Sequence, residues 1–269
     1  MELKKILNSK KTPLVMGVLN LTPDSFSDGG VFNAVDLAAK RVVEMENKGA
    51  DLIDIGGEST GPNSKNVSEK EEIARVIPIL KKIRKITKLP ISIDTYKAEV
   101  ARLALDEGVN IVNDVTALRG DKNMVKIVAQ AKCPLIMMYS KDNTARTTVI
   151  KKKYKDVVNT IDKFFVDRIS YAQEQGVLKK NLILDPGMGQ FISAISKYSF
   201  EIINRLEELT HFGLPLLIGV SRKSFLMGKI TERLDRGLIA SAFAYLNGVS
   251  IIRTHDVGAT VDFFKQFNN

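Results

Sequence analysis

Three carboxylates, Asp54, Asp94 and Asp185, stand at the ends of short apolar runs, Glu58 follows just beyond the run of Asp54, and Asn20, Asn113 and Asp114 stand at or just beyond the ends of others. A carboxylate at the end of an apolar strand is costly unless it is solvated, paired, or given to a ligand that offers N–H donors. Alone, such a residue caps a loop or a helix start as readily as it binds anything. Gathered on one face, three of them favour a binding site. A second group is cationic: Lys223 within Ser221-Arg222-Lys223-Ser224, and Arg253 with His255. Together these could hold an anion. Arg222 by itself suits a solvated surface equally well. His211 falls at the end of a predicted helix, where a cation complements the dipole, and is read as structural.

The elements that must position these groups alternate along the chain. Apolar, β-rich runs at 14–19, 52–55, 91–93, 111–112, 135–138, 182–184, 216–218 and 250–252 make eight candidate strands. Between them, apolar spacing near 3.6 predicts helices over 35–48, 69–86, 100–107, 157–175 and 200–209. Ser68 with Glu71 forms a capping-box pattern, and Gly49, Gly108, Gly176 and Gly213 stand where helices should stop. Two folds accept strict alternation, the doubly wound sheet and the closed barrel. A doubly wound sheet gathers its ligand at one switch point, whereas a barrel brings every strand end into one ring. Polar residues at nearly all strand ends therefore predict an α/β fold of the (β/α)8 type, a TIM barrel, with residues 1–269 as a single domain. Neither G-x-G-x-x-G nor G-x-x-x-x-G-K-[ST] occurs, which removes the main dinucleotide and P-loop alternatives.

The chain of 269 residues carries 40 Lys+Arg against 31 Asp+Glu, a formal charge of +9 that would steer phosphorylated or carboxylated ligands inward. The lysine clusters at 81–88 and 151–155 lie on helical patterns without interleaved aromatics, so no nucleic-acid partner is expected. Met1 to Lys11 shows no signal-peptide core and no later run reaches membrane-span length, which predicts no membrane association and a cytoplasmic location. Cys133, the single cysteine, precedes Pro134 and an apolar run and is expected to pack rather than react.

Longer motifs now carry a resemblance. Asn20-Leu21-Thr22-Pro23-Asp24-Ser25-Phe26-Ser27-Asp28-Gly29-Gly30 and Gly56-Gly57-Glu58-Ser59-Thr60 are similar to the two signatures of dihydropteroate synthases. The similarity continues through Ser92-Ile93-Asp94-Thr95, Asn113-Asp114-Val115, Leu184-Asp185-Pro186-Gly187, Ser221-Arg222-Lys223-Ser224 and Arg253-Thr254-His255-Asp256, in family order over nearly the whole chain.

The resemblance implies condensation of a pterin methyl diphosphate with 4-aminobenzoate, releasing diphosphate, by a barrel that pairs into a homodimer. It implies that Asp94, Asn113 and Asp185 bind the pterin edge, that Met138 packs on the ring, and that Lys223 reaches a ring acceptor. Arg253 would stack on the ring. Asn20 would ligate Mg²⁺ held mainly by the diphosphate, with Arg253, Thr254 and His255 donating to that group. Ser221 joins the substrate-binding set, Thr60 and Ser224 would line the 4-aminobenzoate pocket, and Lys223, Arg253 and His255 are the expected catalytic residues. Segments 22–30 and 60–64 would be loops closing over the site.

The chain departs from the family pattern in three places. Gly61 stands where the family usually has an arginine that reaches the diphosphate, and Tyr139 where a histidine is common. Phe191-Ile192 replaces Gly-Lys. A Phe in this loop, with Ser224-Phe225-Leu226, is similar to the sulfonamide-resistant forms, so Phe191 is expected to narrow the rim of the 4-aminobenzoate pocket, unless it is simply a packing aromatic. Rival readings are a methyltetrahydrofolate:corrinoid methyltransferase-type barrel, a pterin-binding barrel without turnover, and a nucleic-acid-binding protein.

Overall fold

In the strands, side chains alternate between two faces, and both faces here are apolar, as a sheet wrapped by helices requires. The computed structural model describes residues 10–21 and 30–266. Within them run β1 (Leu14–Asn20), α1 (Gly30–Asn47), β2 (Leu52–Gly56), α2 (Glu69–Ile83), β3 (Ile91–Asp94), α3 (Ala98–Asp106), β4 (Ile111–Asp114) and α4 (Met124–Ala131). The chain continues through β5 (Leu135–Met138), α5 (Val157–Glu174), β6 (Leu182–Asp185), α6 (Lys197–Asn204), β7 (Leu216–Ile218), α7 (Arg233–Leu246), β8 (Val249–Thr254) and α8 (Val257–Lys265). All strand pairs are parallel, and β8 pairs with β1 to close the barrel. The expected fold is present. The expected closing loop after β1 lies outside the described residues except for Gly30, which opens α1.

Two apolar layers hold the barrel. Leu14, Met16, Leu52, Ile111, Ile136, Ile183, Leu217 and Ile251 form a buried plug inside it. The outward residues, such as Val15, Ile53, Ile93, Val112, Met137 and Leu184, pack with Val42, Val76, Leu80, Val128 and Phe165 of the helices. Helix α2 shows the local logic. Ser68 caps it by accepting the Glu71 N–H at 3.2 Å, while the Glu71 carboxylate turns to Arg75, and Val76, Ile79, Leu80 and Ile83 bury one stripe. Asp156 caps α5 in the same way, through the Asn159 N–H.

Helices α4, α7 and α8 had no sequence expectation. In α7, Gly237 interrupts the pattern and Ile239, Phe243 and Leu246 stay exposed, so no single apolar stripe marks it. The helix expected over 200–209 splits, with α6 ending before Arg205 and a 3-10 turn running over Leu206–Phe212. His211 closes that turn, bonded to Asp162 at 2.5 Å and lying against Phe212. Cys133 is buried, and burial pushes its thiol up to about 11, as suits packing.

Candidate active site

The same two-residue period that fills the plug builds the site above it. Two positions after the plug residues Leu52, Ile111, Ile136, Ile183 and Ile251 come Asp54, Asn113, Met138, Asp185 and Arg253. Period two keeps each pair on one face, so all five side chains point into the barrel at its C-terminal mouth. Asp94 joins them, in register with Gly56 on one side and Asn113 on the other.

Hydrogen bonds knit this ring together. The Arg253 Nε donates to Asp54 Oδ2 at 2.6 Å and its Nη2 to Asp94 Oδ2 at 2.8 Å. Asn113 Nδ2 donates to the same Asp54 oxygen at 3.2 Å, which leaves its carbonyl oxygen as the acceptor for a ligand. Asp185 Oδ1 accepts the Gly187 N–H at 2.8 Å. Gly187 is obligatory for that turn: its φ is +69°, and a Cβ there would lie 2.3 Å from the Tyr139 carbonyl. Asp54 was expected among the three site-forming carboxylates, but with no role of its own assigned. It is fully buried, and its Oδ1 has no partner.

Lys223 leads out of the loop after β7, with its ammonium 4.8 Å from the centre of the Phe191 ring. Phe191 is buried with Met138 and Val115, inside the mouth and not free at a rim. Ser224 follows Lys223, and its Oγ accepts from Gln190 Nε2 at 3.4 Å. Ser221 Oγ lies 3.2 Å from His255 Nδ1. Asn20 is exposed at the end of β1, and Thr60 is half-buried in the loop after β2. Thr254 faces away from the mouth. Its hydroxyl is buried, accepting the Asp256 N–H at 3.1 Å beside Thr260 of α8, because it follows the inward Arg253 by one residue. Arg222 pairs with Asp256 at 2.5 Å.

Three carboxylates face two cations in little water, and the protonation balance reflects it. Burial, then the Asp54 charge, pushes Asp94 up to about 7 against the pull of Arg253. Burial raises Asp185 to about 6, opposed by the Gly187 N–H and Lys223. Burial brings Lys223 down to about 8, with Asp185 opposing. Burial works to lower Arg253 too, but Asp54 and Asp94 outweigh it and the guanidinium stays charged. His255 falls to about 4 through burial and the neighbouring Arg253 and Arg222. It is therefore neutral near pH 7, a hydrogen-bonding group where the sequence suggested a cation.

The departures also find places. Tyr139 points out of the barrel, edge-on to Phe164, and its hydroxyl lies 3.3 Å from that of Tyr154, which donates to the Ile192 carbonyl. It braces the loop after β6 from behind. Gly61 leaves open space, its nearest neighbour to an added Cβ being Ser59 Oγ at 3.5 Å. A different guanidinium reaches that loop: Arg146, from the loop after β5, pairs with Glu58 and donates to Ser64 Oγ at 2.8 Å.

A family model described as pterin binding enzyme matches residues 16–255. The dihydropteroate synthase of Clostridium beijerinckii is 40% identical over 258 residues, covering 94% of this chain and 92% of that one. Among solved structures, the dihydropteroate synthase of Clostridium difficile in the presence of pteroic acid superposes with a TM-score of 0.89 at 40% identity, over 96% of each chain. That of Xanthomonas albilineans with 4-aminobenzoic acid gives 0.88 at 36% identity, over 96% of this chain and 93% of the other. The match runs from the first strand to the last, through every strand end that lends a side chain to the mouth. The chain belongs to the family of pterin binding enzymes.

Proposed function

We propose that this barrel is a transferase that joins (7,8-dihydropterin-6-yl)methyl diphosphate to 4-aminobenzoate, giving 7,8-dihydropteroate and diphosphate in folate biosynthesis. The observation that carries this reading is the oriented acceptor set at the mouth. Asp94, Asp185 and the free carbonyl oxygen of Asn113 face a shared space, complementary to the N–H edge of a pterin. Met138 supplies an apolar surface for its ring, and Lys223 supplies a cation for a ring acceptor.

In the reaction, the bond from the pterin methylene carbon to the diphosphate oxygen breaks, and the aniline nitrogen bonds to that carbon and loses a proton to solvent. Negative charge grows on the leaving oxygen, so a cationic and donor-rich rim lowers the barrier without a strong general base. Arg253 and neutral His255 are the groups we assign to the departing diphosphate. Ser221 beside His255 Nδ1 can hold the ring so that Nε2 carries the donated proton. Thr254 is withdrawn from this role, since its hydroxyl serves α8. Thr60, Phe191 and Ser224 are the residues we assign to the 4-aminobenzoate side.

Mg²⁺ fits as a companion of the diphosphate. Among the described residues no group of three His, Cys, Asp or Glu could cage a cation, while Asn20 offers one exposed amide oxygen at the mouth. That donor set suits an ion carrying most of its ligands as phosphate oxygens and water. When bound, it would neutralise charge on the leaving group.

We also propose a homodimer through the outer face of α7. Phe243 and Leu246 are 52% and 68% exposed, and Phe243 shares one apolar surface with Ile239 and Phe200. The described residues contain no helix long and apolar enough to cross a membrane, and the one cysteine is a buried free thiol. A cytoplasmic setting accords with both.

The deciding assay supplies the pterin methyl diphosphate, Mg²⁺ and 4-aminobenzoate and follows dihydropteroate and diphosphate together. Equal amounts of both products are expected, with loss of both in Asp94→Ala and Lys223→Ala. Pterin binding without diphosphate release would instead make this a non-catalytic binding barrel.

A further inference from the structure

We infer that Arg146 and Thr147 are positioning residues that clasp two walls of the second-substrate pocket into register. The inference rests on the 4-aminobenzoate reading above. One wall is the loop after β2, which carries Thr60, and the other is the loop after β6, which carries Gln190 and Phe191. Neither wall is fixed by the barrel ladder, because both lie beyond the strand ends.

The loop after β5 joins them. Arg146 pairs with Glu58 and donates to Ser64 Oγ at 2.8 Å and to the Lys65 carbonyl at 3.0 Å, so one guanidinium holds three points of the first wall. Thr147 then spans the gap by itself. Its N–H donates to the Thr60 carbonyl at 3.1 Å, and its hydroxyl, which accepts from the Lys141 ammonium at 2.9 Å, lies 2.9 Å from both the Gln190 carbonyl and Asp142 Oδ2 and shares its one proton between them. Lys141 adds a second bond to that same Gln190 carbonyl, at 2.7 Å.

The anchorage beneath is buried charge. Glu58 and Glu72 share Lys97, and Arg146 completes the set on the other oxygen of Glu58. Glu58 and Glu72 are almost fully buried, Lys97 nearly so and Arg146 partly, and charges paired in this way hold one geometry, since a misplaced charge would go unpaired in a poor solvent. Thr147 is itself 2% exposed, which excludes water from competing for its bonds. Loops so tied present Thr60 and Phe191 at a fixed separation.

Steady-state kinetics with each substrate varied in turn tests this. Arg146→Ala is expected to raise KM for 4-aminobenzoate about tenfold or more, because small misplacements of a binding wall cost that much, while KM for the pterin diphosphate moves less than about twofold. Arg146→Lys should recover part of the loss through Glu58. Thr147→Val, which keeps its shape, should shift the same constant less. An unchanged 4-aminobenzoate KM, or parallel rises for both substrates, would overturn the assignment. Hydrogen exchange gives a readout independent of turnover: the Thr147 amide, and that of Val67, which donates to Glu58 Oε1 at 3.4 Å, should exchange faster in Arg146→Ala while the strand amides do not. If the wild-type protein makes no dihydropteroate, the functional reading fails, and the exchange data alone decide whether the clasp exists. Should Arg146→Ala fail to fold, Thr147→Val and Arg146→Lys carry both measurements.

Discussion

Arg253 Nη2 donates to Asp94 Oδ2 at 2.8 Å, so the carboxylate best placed to read a pterin edge is already held by the arginine across the mouth. The arginine in turn leans on Asp54, which also holds the Asn113 amide. Asp54→Asn should therefore weaken pterin binding without removing any group that touches the ligand. Losing a charged acceptor for two donors is worth about 1.5–3 kcal/mol, roughly ten- to a hundredfold in Kd. Calorimetric titration with a pterin measures it, and an unchanged Kd would reduce Asp54 to a packing residue.

The protonation balance sets a narrow working range. In the role proposed for it, Asp94 must be ionised to accept pterin N–H donors, so kcat/KM for the pterin diphosphate should climb as pH rises through about 7. Asp185 ionises below that, at about 6. Lys223 loses its charge above about 8, so the rate should fall again on the alkaline side. The expected profile is a bell centred between the two limbs. In Lys223→Arg, whose cation does not titrate in this range, the alkaline limb should move away even if the overall rate drops. A limb that stays in place would assign it to another group.

The strand ends were legible because burial and polarity collide there, and Asp94, Asn113, Asp185 and Arg253 stand out for that reason. Parity along β8 carried a further signal: Arg253 and Thr254 cannot both face the mouth, and only one of them does. Asp54 was visible as a strand-end acid, but its service to Arg253, 199 residues away, has no trace in local spacing. The Arg146 to Glu58 pairing spans 88 residues and joins two loops, where no periodicity exists to read. Helix α7 escaped because its outer residues Ile239 and Phe243 are apolar as well, and a helix apolar on several sides gives no period.

Position 61 offers a gain-of-function test. The family pattern has an arginine there that reaches the diphosphate, and Gly61 has no positive φ and room for a Cβ, so the backbone accepts Gly61→Arg without strain. Added charge facing the leaving group should tighten diphosphate binding by a few-fold to about tenfold, as charge-assisted hydrogen bonds do. Product inhibition by diphosphate, measured at fixed Mg²⁺, reads the change. An unaltered inhibition constant would mean that the loop tied by Arg146 aims position 61 away from the mouth.

Phe191 offers a test of sulfonamide sensitivity. Its ring is buried against Met138 and Val115 with the Lys223 ammonium over its face, so it cannot swing aside for a bulky ligand without giving up both contacts. A flat substrate needs no such movement, whereas a sulfonamide carries a substituent beyond the sulfonyl group that would press on this wall. Phe191→Gly should lower the sulfonamide inhibition constant several-fold while the KM for 4-aminobenzoate changes less. Truncating a buried Phe removes about 3–5 kcal/mol of stability, so Phe191→Leu, which keeps most of the packing, is the companion variant and should shift in the same direction. Equal inhibition constants across all three proteins would make Phe191 a packing aromatic and nothing more.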